Sequence, residues 1–422
     1  MIQIKRLNYI LLKTVIVLIV FNGFLTNFIS IGPVRAGTMI FDLFLVVLTV
    51  YCAAVSPVRV RKNSLAGAVF LLCFVMFFFV MLISVLAFSS MYESVAGIRN
   101  HILYIAVFIL TASMLDKNNV EDIFVFLCRC MMFINGFAIF QAVMHKHLPA
   151  KLLIVEGATD FAIFGVSEYR CTGLVGDMLA MGSFANMTLL LYTIYLYKSK
   201  RPFYHYLLCL LPICACFLTF SRASIGLCLA LVVLFLLIYF IKRKSYNAVL
   251  ICITSTVALL TVMITPLGQR ILARFLSSDA NQGSDSSRLA SYRASVRAIR
   301  KHPLLGLGFG TQMPSGRSGI RLVTDGHLWE CLLEMGIPLF VIMMCFYAST
   351  VYLAFKYLRR RECRYYATAY IILSGYFFII SLVNSALDSR ADMCIFMMLL
   401  GFVVYYTGQS ADPGKEKEYE QT

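Results

Sequence analysis

Apolar runs of membrane-spanning length, separated by short polar breaks, fill almost the whole chain. They fall at 9–31, 37–55, 65–88, 98–116, 122–144, 173–197, 203–219, 222–241, 246–265, 327–355, 365–386 and 390–407. A run of about 20 apolar residues crosses hydrocarbon as a helix, the one open-chain structure that satisfies its own backbone there. The pattern predicts an all-α polytopic bundle of about twelve transmembrane helices, with both chain ends on one side. One long interruption, at about 266–326, breaks the rhythm. Within it Leu289, Tyr292, Val296 and Ile299 recur at helical spacing, while Arg293, Arg297, Arg300 and Lys301 fall on another stripe. This predicts an amphipathic, strongly basic helix that Ser284 or Asp285 caps and Pro303 ends. Such a helix suits a surface of anionic lipid.

Composition sharpens the class. With 60% hydrophobic and 14% charged residues, and a mean hydropathy of +0.82, a soluble globular domain is excluded. The expected organisation is a single integral membrane domain over 1–407, followed by a disordered cytoplasmic tail at 408–422. A formal charge of +16 would fit a nucleic-acid partner, but its distribution points elsewhere. Lys5 and Arg6, Arg59 with Arg61 and Lys62, Lys198 with Lys200 and Arg201, Lys242 to Lys244, and Arg359 to Arg361 all fall on one face of the bundle. The positive-inside rule makes that face cytoplasmic, so the long loop lies outside the cytoplasm and no nucleic acid is expected. The 14 cysteines include no Cys-x-x-Cys pair and mostly lie in apolar runs, as small hydrophobes do. No internal repeat or matched pair of broken spans suggests an inverted-repeat transporter.

Arginines at outer helix ends run against this charge rule, and Arg99, Arg170, Arg222 and Arg288 are the instances. Arg222 is the sharpest, because TFSRAS is a tight hairpin between two apolar runs and leaves the guanidinium at membrane level. An ionisable group there is costly unless paired. Several such arginines converging would suit a pyrophosphate; the alternative is that each snorkels to headgroup phosphates. His327 opens the apolar run after the loop, with Glu330 and Glu334 on the same helical face. It is a candidate acid or base, or a structural hydrogen-bonding residue. Asp42 and Asp388 are membrane-level carboxylates, read as helix contacts before a proton path. LGLGFG lacks a preceding strand and is a flexible or closely packed turn, without a dinucleotide fingerprint. His145 and His147 stand two apart, and His101, His205 and His302 are scattered, so no metal site is expected.

Three motifs in order, TFSRAS, SSRLASYRASVRAIRKHPLLGLGFG and GHLWECLLEMGIP, resemble the O-antigen ligase and O-antigen polymerase superfamily of bacterial envelope glycosyltransferases. RCTGLVGDMLAMG, from Arg170, resembles that superfamily's arginine-glycine motif before a span. The resemblance implies a metal-independent transferase without cofactor, in the bacterial cytoplasmic membrane, with its active site facing outward. Its donor would be a glycan on undecaprenyl pyrophosphate and its acceptor a second glycan, with a flippase and a chain-length regulator as partners. By motif match Arg222 and Arg288 would bind and stabilise the departing pyrophosphate and His327 would deprotonate or orient the acceptor hydroxyl, with Arg170 and Arg99 lining the site. Ligases of this group carry His-Asn at the re-entry, whereas this chain reads His327-Leu328, which points to a polymerase of repeat units. The alternatives are a ligase that moves a finished glycan to an acceptor such as lipopolysaccharide core, and a transporter or flippase of lipid-linked sugars.

Overall fold

A computed structural model describes residues 2–28, 36–55, 65–86, 91–101, 103–153, 160–163, 166–199, 203–243, 268–269, 279–312, 322, 326–382 and 389–408. Helices stand where the apolar runs predict them. In chain order they are α1 (Ile2–Val20), α2 (Asn22–Phe28), α3 (Ala36–Val55), α4 (Leu65–Leu86), α5 (Met91–His101), α6 (Leu103–Met114), α7 (Val120–Met144) and α8 (Ala150–Leu153). There follow α9 (Met178–Lys198), α10 (Leu210–Leu218), α11 (Arg222–Arg243), α12 (Asp279–Lys301), α13 (His327–Tyr357), α14 (Arg364–Ser381) and α15 (Arg390–Gly408). Five described helical stretches are long and apolar enough to cross a membrane: Glu93–Met114, Val120–Met144, Met178–Lys198, His327–Tyr357 and Arg390–Thr407. The run at 246–265, Asp388 and the tail beyond 408 lie outside the described residues.

Two local readings change. The amphipathic helix begins at Asp279, ahead of the expected cap at Ser284 or Asp285, and stops at Lys301 before Pro303 as expected. Its polar first turns hold a single glycine, Gly283, and no proline, so nothing in them forbids helix. The all-α expectation also meets one exception, a short antiparallel hairpin of β1 (Asp160–Ile163) and β2 (Val166–Tyr169), with Asp160 opposite Tyr169.

The chain divides into two compact units, residues 1–130 with 288–422, and residues 131–287. In the first, α6 is buried along Tyr104, Val107, Phe108 and Leu110 and meets α15 closely. A Cβ on Gly401 would lie 2.5 Å from the Thr111 Cβ and 2.9 Å from the Phe108 carbonyl, so the glycine permits this approach. Stacked rings, Tyr366 on Phe402 and Tyr370 on Phe396, lock α14 to α15. Asp42 on α3 lies 3.5 Å from Arg99 of α5 and 3.6 Å from Arg390 of α15, an ionic junction of three helices. In the second unit α9 is buried almost end to end. Asp177 caps it by accepting from the Leu179 and Ala180 amides, a bond set that contributes about 1 kcal/mol.

Candidate functional site

The turn before α11 carries Arg222. Phe220 takes a left-handed φ of 52°, a conformation that costs on the order of 1–3 kcal/mol and persists only where its surroundings impose it. Those surroundings are polar and buried. The Ser221 amide donates to Thr219 Oγ1, Ser224 and Ser221 join through their hydroxyls at 3.0 Å, and Asn186 of α9 donates to the Ser224 carbonyl at 2.8 Å. Gly182 of α9 makes room, since a Cβ there would sit 2.5 Å from Ser224 Oγ. The result fixes half-buried Arg222 as the first residue of α11, at the helix end where backbone N–H groups favour anions.

Arg170 reaches the same turn. Its Nε donates to the Thr219 carbonyl at 2.8 Å, and the Cys171 amide donates to the Leu218 carbonyl at 3.2 Å. Gln141 holds the segment from behind, accepting at Oε1 from the Thr172 and Gly173 amides. The motif from Arg170 and the motif around Arg222, 52 residues apart in sequence, are thus brought together in the second unit. Burial pushes the Cys171 thiol up to about 12, so the cysteine beside Arg170 stays a neutral packing group.

His327 belongs to the first unit and opens α13 after Gly326, whose φ of 105° only glycine adopts readily. The helix is kinked at Gly336, where φ 70° and ψ 175° interrupt it, and Pro338 follows. A kink orphans carbonyls. Leu333 would accept from Ile337 and Glu334 from residue 338, but the Ile337 amide turns to the Pro303 carbonyl and Pro338 has no N–H. The glycine-rich turn repairs both losses, with the Leu307 amide donating to the Leu333 carbonyl at 2.7 Å and Gly308 to Glu334 at 3.2 Å. Gly306 could hold no side chain there, because its Cβ would stand 2.5 Å from the Leu333 carbonyl oxygen. Gly310 is as tight against α5, 2.1 Å from the Glu93 carbonyl oxygen. Of the two readings of LGLGFG, the closely packed turn is the one observed.

This packing builds a polar cluster in an otherwise apolar interior. His327 Nε2 lies 3.3 Å from Cys331 Sγ, one helical turn on, and Cys331 Sγ lies 3.9 Å from Nδ1 of His101 on α5. His101 Nε2 meets Glu334 Oε2 at 3.0 Å, while Glu334 Oε1 accepts from the Gln312 amide at 2.8 Å. His327, Glu330, Cys331 and Glu334 are all buried. The His101 and His327 rings, 5.7 Å apart, share a narrow cavity with Met76, Met335, Met343 and Met397. Tyr292 of α12 packs its ring 5.4 Å from Trp329, which ties the basic helix to the first turn of α13. Arg288 stands one turn before Tyr292, half-buried, and Arg293, Arg297 and Arg300 face out.

Of the five residues singled out in the sequence, Arg170 bonds the turn that leads to Arg222 within the second unit, while Arg288, His327 and Arg99 belong to the first. Arg99 lies two residues from His101 on α5, with its Nε toward Asp42. Thr324 and Asp325 lie outside the described residues. Sequence reasoning missed His101 and Cys331. The i, i+4 spacing of His327 and Cys331 was a usable signal, because it puts both on one helical face. His101 lies 226 residues away and had none.

Residues 207–344 match the family described as O-antigen ligase. Over this stretch the chain is similar to the O-antigen ligase family. The matched stretch is about a third of the chain and holds Arg222, Arg288, His327, Cys331 and Glu334; Arg99, His101 and Arg170 lie outside it. No curated protein matches the chain. That similarity and the apolar helices together point to a multi-pass membrane protein of polysaccharide biosynthesis. O-antigen ligases and polymerases are enzymes of the glycosyltransferase kind, and the family implies a lipid-linked glycan donor and an acceptor in the membrane.

Proposed function

We propose that the protein is a polysaccharide polymerase of the bacterial cytoplasmic membrane, joining repeat units carried on undecaprenyl pyrophosphate at a site that faces outward. The observation that carries this reading is the superfamily match over the stretch that includes the buried, helix-opening His327. An acceptor hydroxyl oxygen attacks the anomeric carbon of the donor glycan, the bond from that carbon to the pyrophosphate oxygen breaks, and His327 takes the hydroxyl proton. Arg222 and Arg288 stabilise the negative charge that develops on the pyrophosphate, as fixed positive groups do best in a site shielded from water. Arg170, bonded to the turn that begins the Arg222 helix, and Arg99 line the donor side. The leaving group is already activated, so the step needs no metal ion and should survive a chelator.

The large outer loop at about 266–326 would shelter the reaction, and a flippase and a chain-length regulator would supply donor and set polymer length. Leu328, where ligases of this group carry Asn, favours polymerisation over transfer of a finished glycan. The ligase reading remains the second one, because the matched family bears that description. Deleting the gene separates them. Single repeat units in place of long chains support a polymerase, and full-length polymer retained on the lipid carrier would instead establish a ligase.

A further inference from the structure

His101, His327 and Cys331 each offer a ligand atom within 4.8 Å of the others, and Cys331 Sγ lies 3.3 Å from His327 Nε2 and 3.9 Å from His101 Nδ1. We infer that these three side chains form a binding site for a thiophilic divalent transition-metal ion, zinc, and that its occupancy takes His327 out of the glycosyl-transfer step. The second half of this statement rests on the functional reading above; the first half does not.

The donor set is of one chemical kind. Two imidazole nitrogens and a thiolate suit zinc, and no hard oxygen ligand stands among the three to favour magnesium or calcium. The i, i+4 spacing on α13 presents His327 and Cys331 together, and α5 brings His101 against them. Glu334 completes the arrangement. Its Oε2, 3.0 Å from His101 Nε2, fixes the proton on that nitrogen and leaves the Nδ1 lone pair on the side of Cys331. A carboxylate on the far nitrogen of a histidine is the usual support of a zinc ligand, raising its basicity and holding its ring.

Charge also balances. A zinc ion, the Cys331 thiolate and the Glu334 carboxylate sum to zero, so loading the site buries no net charge in a membrane interior. Binding is an exchange in which the Cys331 thiol gives up its proton to the buffer and both imidazoles donate a lone pair. With three protein ligands a tetrahedral ion keeps one place for water. His327 Nε2, once it donates to the metal, has no lone pair for an acceptor hydroxyl. Such a site would arrest chain extension when free zinc rises.

The test uses the full chain purified in detergent and stripped by chelator. Cobalt(II) added as a spectroscopic stand-in should give a thiolate-to-cobalt charge-transfer band at one equivalent, displaced by zinc. The band should vanish in Cys331→Ser and need at least tenfold more cobalt in His101→Gln. X-ray absorption on the zinc-loaded wild-type protein, which needs no variant to fold, should show one sulfur at about 2.3 Å and two imidazole nitrogens at about 2.0 Å. An equal band in Cys331→Ser, or an all-oxygen or several-sulfur shell, overturns the site. In a chain-extension assay, zinc should inhibit wild type and lose at least tenfold in potency against whatever activity Cys331→Ser retains. Zinc that binds by both spectroscopies yet leaves extension untouched overturns the inhibitory half alone. A protein that extends no chains at all refutes the polymerase reading and leaves the metal measurement standing.

Discussion

Replacing Glu334 tests whether the buried polar cluster is a connected unit. Glu334 is 1% exposed and its two oxygens serve two donors, the Gln312 amide at 2.8 Å and His101 Nε2 at 3.0 Å. Glu334→Ala strips both of their acceptor. A buried donor left without a partner costs about 1–3 kcal/mol, so the change should destabilise the protein by about 2–6 kcal/mol. Glu334→Gln is the finer probe. Its Oε1 still accepts from Gln312, and its amide nitrogen can donate to His101 Nε2 if the ring moves its proton to Nδ1. That exchange should lower the cost to about 1–2 kcal/mol while aiming an N–H at Cys331. The assay is reversible denaturation in mixed micelles on Glu334→Gln, His101→Phe and the pair. A connected cluster requires a coupling energy of about 1–3 kcal/mol. Coupling under about 0.5 kcal/mol, or a Glu334→Ala loss no larger than that of exposed Arg297→Ala, would refute the reasoning.

The remaining expectations concern activity and packing. Arg222→Ala and His327→Ala should each cut chain extension by at least about 100-fold with expression intact, as loss of a charge stabiliser or proton acceptor does. Arg297→Ala should stay within about twofold; full activity in the first two variants, read from polymer length in membranes, would reject both roles. Gly310→Ala should destabilise by about 2–5 kcal/mol, combining a left-handed φ of 79° with a methyl 2.1 Å from the Glu93 carbonyl oxygen. Gly136→Ala, where a Cβ meets nothing within 4 Å, is the control and should leave the unfolding midpoint unchanged or raised.

Hydrophobic periodicity made the helices legible because hydrocarbon allows few alternatives, and runs such as 65–88 and 390–407 needed no tertiary information. Arg222 drew attention for the same reason, since a tight hairpin between two apolar runs would leave its guanidinium at membrane depth. The start of α12 was not. Its polar first turns carry no apolar stripe, and capping chemistry at Ser284 competes with simple continuation of the helix. The cluster around His327 was half legible. His327, Cys331 and Glu334 share a face by spacing alone, whereas His101 enters through the docking of α5 against a turn whose glycines admit it. Asp42 stood out as an odd charge in an apolar run; its partners Arg99 and Arg390 became visible only once three helices were packed.

The hydrogen bonds that repair the α13 kink bear on how substrate can enter. Leu307 and Gly308 are stitched to the carbonyls of Leu333 and Glu334, and Pro303 to the amide of Ile337. Lifting this piece of the loop would expose six backbone groups, three donors and three acceptors, to an oily interior at once. It therefore acts as a fixed sill, and under the proposed function a lipid-borne sugar would have to pass over it rather than displace it.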